Sequence, residues 1–117
     1  MAKVLLADDD GAMRDFAART LQAEGHSVVA VHDGQEALDQ AQAHGAAFDL
    51  LVTDLQMPAV DGIALAEQLL AANPRLRVIL MSGLQSEMAR AGRIKATFLS
   101  KPFTLDQLRA AVRTALA

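Results

Sequence analysis

The sequence predicts an α/β domain: an open, doubly wound parallel sheet of five strands, covered by helices on both faces. Short runs rich in Val, Leu and Ile recur at residues 3–7, 27–31, 49–53, 77–81 and 96–100, lengths that suit buried strands. The segments between them carry apolar residues at helical spacing, and such an alternation calls for parallel strands joined by crossover helices. At 117 residues the chain is too short for an eight-fold barrel, which needs at least about 200, so right-handed crossovers leave the open sheet. There is no repeat, linker or low-complexity tract, and residues 1–117 read as one domain with a single core.

The first strand, 3–7, runs directly into Asp8-Asp9-Asp10. Asp10 is placed to cap a helix that starts at Gly11 and is periodic over 13–24. Phe16, Ala17, Thr20 and Leu21 share its apolar stripe, with Arg14, Asp15, Arg19 and Gln22 outside it. Gly25-His26 supplies the stop. After the second strand, 27–31, Asp33-Gly34 turns the chain into a helix over 35–43. The third strand, 49–53, ends at Asp54, and a loop containing Pro58 and Gly62 leads to a helix over 63–72 that Asn73-Pro74 terminates. The fourth strand, 77–81, ends at Ser82-Gly83. Residues 85–91 then allow only about two helical turns before Gly92-Arg93 interrupts. The fifth strand, 96–100, gives way to Lys101-Pro102-Phe103. In the last helix Thr104 is the N-cap, Gln107 completes a capping box, and Leu105, Leu108, Val112 and Leu116 form the buried stripe.

Composition narrows the function classes. A hydrophobic content of 52% excludes disorder, and the longest apolar runs are far too short to span a membrane. The N-terminus lacks the apolar stretch of a secretory signal, and the absence of cysteine removes disulfides and thiolate metal sites. These features fit a cytoplasmic domain. A net charge of −3 and a 3% aromatic content with no Trp or Tyr argue against nucleic acid as a partner.

Chemistry gathers where the strands end. In a doubly wound sheet, ligands sit beyond the carboxyl ends of the strands, and here those ends carry Asp8 and Asp9, Asp54, Ser82 and Lys101. Carboxylates sharing one cleft repel unless a cation compensates, and Mg²⁺ suits them because it takes one or two carboxylates, waters and phosphate oxygens. Ser82 could donate to a phosphoryl oxygen and Lys101 could place a charge on another. Phosphoryl transfer to one of the acids needs little else. Taken singly each feature is ordinary: an acidic run caps a helix, Asp61-Gly62 is a turn, and a Lys-Pro pair means nothing. The signal is their order, each after a strand. His26, His32 and His44 have no ligand-spaced partners and read as structural or solvent-facing, Met57 and Met81 as loop and core filler, and Arg90 and Arg93 as a solvated face.

This combination resembles the receiver domain of bacterial two-component response regulators over the whole chain. The acid pair is Asp8-Asp9, the D-x-x-M-P-x-x-D-G motif runs from Asp54 through Gly62, Ser82 follows the fourth strand, and Lys101-Pro102-Phe103 follows the fifth. The resemblance implies the CheY-like strand order 2-1-3-4-5 and phosphorylation of Asp54 by a histidine kinase or histidine phosphotransferase. It implies Mg²⁺, with Mn²⁺ as a substitute, on Asp8, Asp9, Asp54 and the Gln56 backbone carbonyl. Ser82 and Lys101 would assist the transfer, Ser82 and Phe98 would switch, and the Lys101–Pro102 peptide would be cis. The output surface would combine the fourth helix, fifth strand and last helix, roughly residues 85–113. Two departures stand out: the stretch from Ser82 to Lys101 is short, and the switch aromatic is Phe rather than Tyr.

With no output segment after the last helix, the expectation is a single-domain regulator acting through protein–protein contact. Among such regulators the chain is similar to the alphaproteobacterial CpdR type, through Ile79-Leu80-Met81-Ser82-Gly83, the short fourth-helix region and Lys101-Pro102-Phe103-Thr104-Leu105. That likeness implies an adaptor of the ClpXP protease that binds ClpX. The alternatives are a phosphate-relay module of a hybrid histidine kinase and an aspartyl-phosphate phosphatase. The phosphatase is disfavoured because Gln56 stands where such an enzyme has its acid–base aspartate.

Overall fold

The computed structural model describes residues 1–44, 47–92 and 94–117. In chain order the elements are β1 (Lys3–Ala7), α1 (Gly11–Ala23), β2 (Ser27–Val31), α2 (Gly34–His44), β3 (Leu50–Asp54), α3 (Gly62–Ala72), β4 (Arg77–Ser82), α4 (Gln85–Arg90), β5 (Thr97–Ser100) and α5 (Leu105–Leu116). The five strands form one parallel sheet in the order β2-β1-β3-β4-β5. The order reverses between β1 and β3, so the crevice of a doubly wound sheet opens between the ends that carry Asp8 and Asp54.

Period-two alternation divides the core. Leu5, Leu51, Val78 and Leu80 face one side, where they pack with Ala37, Leu65, Ala66 and Leu69 of α2 and α3. Val4, Leu6, Val52, Ile79 and Met81 face the other, against Ala17 and Leu21 of α1 and Leu108 and Val112 of α5. The central strands β1, β3 and β4 are buried on both faces, which explains their continuous apolar runs, whereas the edge strands β2 and β5 are half-exposed. Among the described residues no helix is long and apolar enough to cross a membrane.

Local signals set the helix ends. The Asp10 carboxylate accepts from the amides of Ala12 and Met13 at the start of α1. Gly25, just past that helix, takes φ +93°, the left-handed conformation that favours glycine. Thr104 and Gln107 form the reciprocal capping box of α5. Asp61, which reads as part of a turn, is the N-cap of α3 and accepts from the Ala64 amide at 2.8 Å.

Two apolar stripes differ from their sequence patterns. Phe16 is 36% exposed, because the buried face of α1 centres on Ala17, Thr20 and Leu21, and its ring rests beside that of Phe103. In α5, Leu105 is exposed in the first turn and Leu116 only partly buried; Ala111 and Ala115 close the stripe around Leu108 and Val112. Small residues there let α5 approach the sheet closely. The fourth helix is a single short segment, and Arg93, read as part of a solvated face, lies outside the described residues.

The loop after β3 is held by close approach. A Cβ on Gly62 would lie 2.1 Å from the Asp54 carbonyl oxygen and 2.9 Å from Leu55 Cα. The Gly62 amide donates to the Leu55 carbonyl at 3.0 Å, and a Cβ on Gly34 of α2 would meet the Val60 carbonyl at 2.2 Å. Ala59, at the loop tip, adopts φ 70°, uncommon for a residue with a Cβ. The backbone beside Asp54 is thus pressed between the starts of two helices. Gly62→Ala should destabilise the fold by about 1–3 kcal/mol in chemical denaturation, since backbone must move to admit the methyl. Gly83→Ala, at a position with open space for a Cβ, should stay within about 0.5 kcal/mol of the parent.

Candidate functional site

Because all five strands are parallel, their carboxyl ends share one edge, and the polar residues that end them meet there. Asp8 follows β1, Asp54 closes β3, Ser82 closes β4 and Lys101 follows β5. Register aligns Asp54 with Met81 and Ser82 with Ser100, so the four lie within one strand-end layer. The Lys101 ammonium donates to Asp8 Oδ2 at 2.9 Å and to Asp54 Oδ2 at 2.8 Å. Asp8, Asp9 and Asp54 each offer an oxygen, all within 4.8 Å of one another.

The three acids differ in surroundings. Asp8 is fully buried; its Oδ1 accepts from the Asp10 amide at 2.9 Å, and the Arg14 guanidinium donates to its carbonyl at 2.8 Å. Asp54 is half-buried, with Oδ1 accepting from the Gln56 amide at 3.2 Å, while the buried Thr53 hydroxyl donates to the Asp54 carbonyl. Asp9 is exposed, and among the described residues its carboxylate has no hydrogen bond or ion pair. Burial of Lys101 works against its charge, but hydrogen bonds and Coulomb attraction from Asp54 and Asp8 outweigh it and raise its pKa above the ordinary lysine value. The ammonium therefore stays charged between the two acids.

The oxygens suit a hard cation. Three clustered carboxylates with one ammonium leave a net negative site, and the unpaired Asp9 opens it to solvent. Mg²⁺ fits such a set, taking a few carboxylate oxygens and retaining waters.

The remaining predicted site residues fall around this cluster in different ways. The buried Ser82 hydroxyl donates to the Leu84 carbonyl at 3.1 Å and accepts from the Leu84 amide at 3.0 Å, so it is engaged by its own loop rather than by Asp54. Phe98 on the edge strand is 40% exposed. The Lys101–Pro102 peptide is cis. His26 accepts from the Ala2 amide, His32 contacts Glu36 and Asp33, and His44 contacts Lys3; among the described residues none of the three joins the ligand cluster formed by the acids. Met81 lies in the core on the α1/α5 face, and the partly buried Met57 packs against the core of the opposite face.

The fold's own geometry and the matched sequence agree on one assignment. Residues 4–113 match the family described as the response regulator receiver domain. The chain belongs to that family. The receiver is 35% identical over 117 residues to the response regulator MprA of Mycobacterium avium, covering 97% of this chain and 50% of that protein. It is 37% identical over 119 residues to the sensor kinase CckA of Brucella abortus, covering 98% of this chain and 12% of that one. The crystal structure of the receiver domain from the hybrid histidine kinase CckA superposes with a TM-score of 0.85 at 32% identity, covering 98% of this chain and 99% of that one. The chain thus spans about half the length of the first curated relatives it matches. Receivers are phosphorylation-regulated signalling modules of two-component systems rather than conventional enzymes. The Asp8/Asp9/Asp54 cluster is typical of the receiver Mg²⁺ site.

One residue near the site escaped the sequence reading. Glu87, in the first turn of α4, is buried, and its Oε1 accepts from the Gln56 side-chain amide 31 positions away. Nothing in its local pattern marks it, because an acid early in a helix is ordinary. Only the packing of α4 over the loop after β3 brings the two together.

The Lys101 bridge generates a stability prediction. Lys101→Met in chelator-containing buffer should cost about 3 kcal/mol by denaturant titration, because it leaves Asp8 buried and facing Asp54 without a counter-charge. Asp8→Asn in the same background should recover part of that loss. Additive losses for the two substitutions would show that the bridge is not what holds Asp8.

Proposed function

We propose that residues 1–117 act as a receiver whose Asp54 accepts a phosphoryl group from a phosphohistidine, and that this modification switches a protein–protein surface. Asp54 Oδ bonds to phosphorus as the bond from phosphorus to the histidine nitrogen breaks, leaving the donor imidazole neutral after proton uptake. Asp8, Asp9, Asp54 and the Gln56 carbonyl would hold Mg²⁺, or Mn²⁺ in its place. When bound, the metal neutralises charge on the transferred oxygens. Lys101 already bridges Asp8 and Asp54, and this contact is the observation that carries the reading: a fixed ammonium within reach of any group added to Asp54.

The switch follows from the state of Ser82. To donate to a phosphoryl oxygen its hydroxyl must leave the Leu84 backbone, which loosens the link between β4 and α4. Exposed apolar residues mark where the change would be read. Leu84, Phe98 and Leu105 are three of the five exposed large hydrophobics among the described residues, and they lie on or beside α4, β5 and α5. Phe98 would change burial as that face repacks.

The finer reading is an adaptor of the CpdR type that binds the ClpX unfoldase when unphosphorylated. It is supported by the sequence likeness at residues 79–83 and 101–105. A phosphate-relay role in a hybrid kinase is the second reading, favoured by the similarity to the sensor kinase CckA. Both readings entail a cytoplasmic location.

Intact mass after acetyl phosphate treatment should show one added phosphoryl that requires Mg²⁺ or Mn²⁺ and disappears in Asp54→Asn. Asp9→Ala should weaken the metal requirement's midpoint more than Asp8→Ala, since the unpaired carboxylate is the more available ligand. A gain that persists in Asp54→Asn would move the phosphoacceptor elsewhere.

A pull-down with ClpX, comparing untreated, phosphorylated and Asp54→Ala protein, separates the finer readings. The adaptor reading expects capture by the unphosphorylated and Asp54→Ala forms and release on phosphorylation. Capture by the phosphorylated form alone, or by none, overturns it.

A further inference from the structure

We propose that Glu87 is a positioning residue that sets the lifetime of the aspartyl phosphate by holding the Gln56 carboxamide, an inference that rests on the phosphorylation of Asp54 argued above. Glu87 is 8% exposed, unusual for a glutamate in so short a helix. Its Oε1 accepts from Gln56 Nε2. Its Oε2 has no hydrogen-bond partner among the described residues, the nearest cation being Arg90 Nη2 at 3.5 Å. A carboxylate this buried calls for compensating donors, and the Gln56 side-chain amide supplies one to Oε1.

What it holds matters because of where Gln56 starts. Gln56 is two residues past Asp54, and its main-chain amide donates to Asp54 Oδ1 at 3.2 Å. Asp9, Gln56, Glu87 and Arg90 line one solvent-open cavity of about 460 Å³ beside the acid cluster. Water therefore has access to Gln56 beside Asp9, one of the three clustered acids.

Loss of the phosphoryl group is hydrolysis of an acyl phosphate. The water oxygen bonds to phosphorus while the bond from phosphorus to the Asp54 carboxyl oxygen breaks. The aspartyl phosphate dianion and water become the Asp54 carboxylate and dihydrogen phosphate, with both water protons leaving on the phosphate. A carboxamide can assist by accepting a hydrogen bond from that water and donating one to it. In this structure its amide is committed to Glu87. The helix that carries the output surface therefore also restrains the group best placed to orient the attacking water, and α4 packing and phosphoryl lifetime are coupled through one hydrogen bond.

The test measures decay of the isolated phosphoprotein in Mg²⁺ by intact mass. The parent is compared with Glu87→Ala, Glu87→Gln, Gln56→Ala and the Glu87→Ala/Gln56→Ala double variant. Glu87→Ala should shorten the lifetime about two- to tenfold, the kinetic equivalent of freeing one hydrogen bond. Glu87→Gln still offers Gln56 an acceptor oxygen and should restore a lifetime within about twofold of the parent. In the Gln56→Ala background, Glu87→Ala should change nothing further, a result that a merely structural role would not produce. An unchanged or longer lifetime in Glu87→Ala overturns the role of Glu87, as does an equal acceleration without Gln56. Failure of the parent to gain a phosphoryl at Asp54 overturns the phosphorylation reading itself, so the two failures are distinguishable.

Discussion

An ammonium shared between two carboxylates is what allows this sheet to end in acid. Asp8 is fully buried and Asp54 half-buried, and with Asp9 they offer oxygens within 4.8 Å of one another, a crowding of like groups that calls for a compensating cation. Lys101 reaches both from the strand at the far edge of the sheet, at 2.9 and 2.8 Å, and the two acids in turn keep the lysine charged against its own burial. The same contact ties β1, β3 and β5 together at their carboxyl ends. A site built this way balances part of its negative charge with a fixed ammonium placed between two carboxylates.

That bridge is seated in closely packed backbone. The two faces of the sheet are packed by α1 and α5 on one side and by α2 and α3 on the other, and the central strands have no exposed face. The loop after β3 is pinned at Gly62 and Gly34, where no Cβ could fit, and at Asp61, which caps α3. Gly62 lies directly against the Asp54 carbonyl, while Gly34 presses on the same loop at Val60. The segment after β4 is engaged by the Ser82 hydroxyl folded onto Leu84 and by a helix of six residues whose Glu87 meets Gln56, with Ala91 and Ile94 buried in the core beyond it. A helix that short owes its stability to packing rather than propensity.

Much of this was legible in the sequence, for identifiable reasons. Strand runs, helix stripes and caps follow periods of two and 3.6 with chemically specific ends, so Asp10, Thr104 and Gln107 could be named as caps before any coordinates. Topology was legible because an alternating strand–helix pattern admits few arrangements, and once the strands are parallel the acids, Ser82 and Lys101 must share an edge. The errors lay at margins. Phe16 and Leu105 sit at the borders of their stripes, where hydrophobic identity alone does not say which side wins, and their places in the core are taken by contacts of Ala17, Ala111 and Ala115.

By itself, then, the order of residues determined the fold class, the strand-end convergence and the set of acids with their lysine, since these depend on local pattern and on chain topology. What only the tertiary structure decided is how each group is engaged. Lys101 divides itself between Asp8 and Asp54, Asp9 is left unpaired, Ser82 turns back on Leu84, and Glu87 reaches Gln56. Gly62, legible as a helix opener, proves to be the residue over which the Asp54 carbonyl lies. Such contacts join residues far apart in sequence at distances of a few ångströms. No local pattern encodes them, because they arise from where the packed helices and loops leave room.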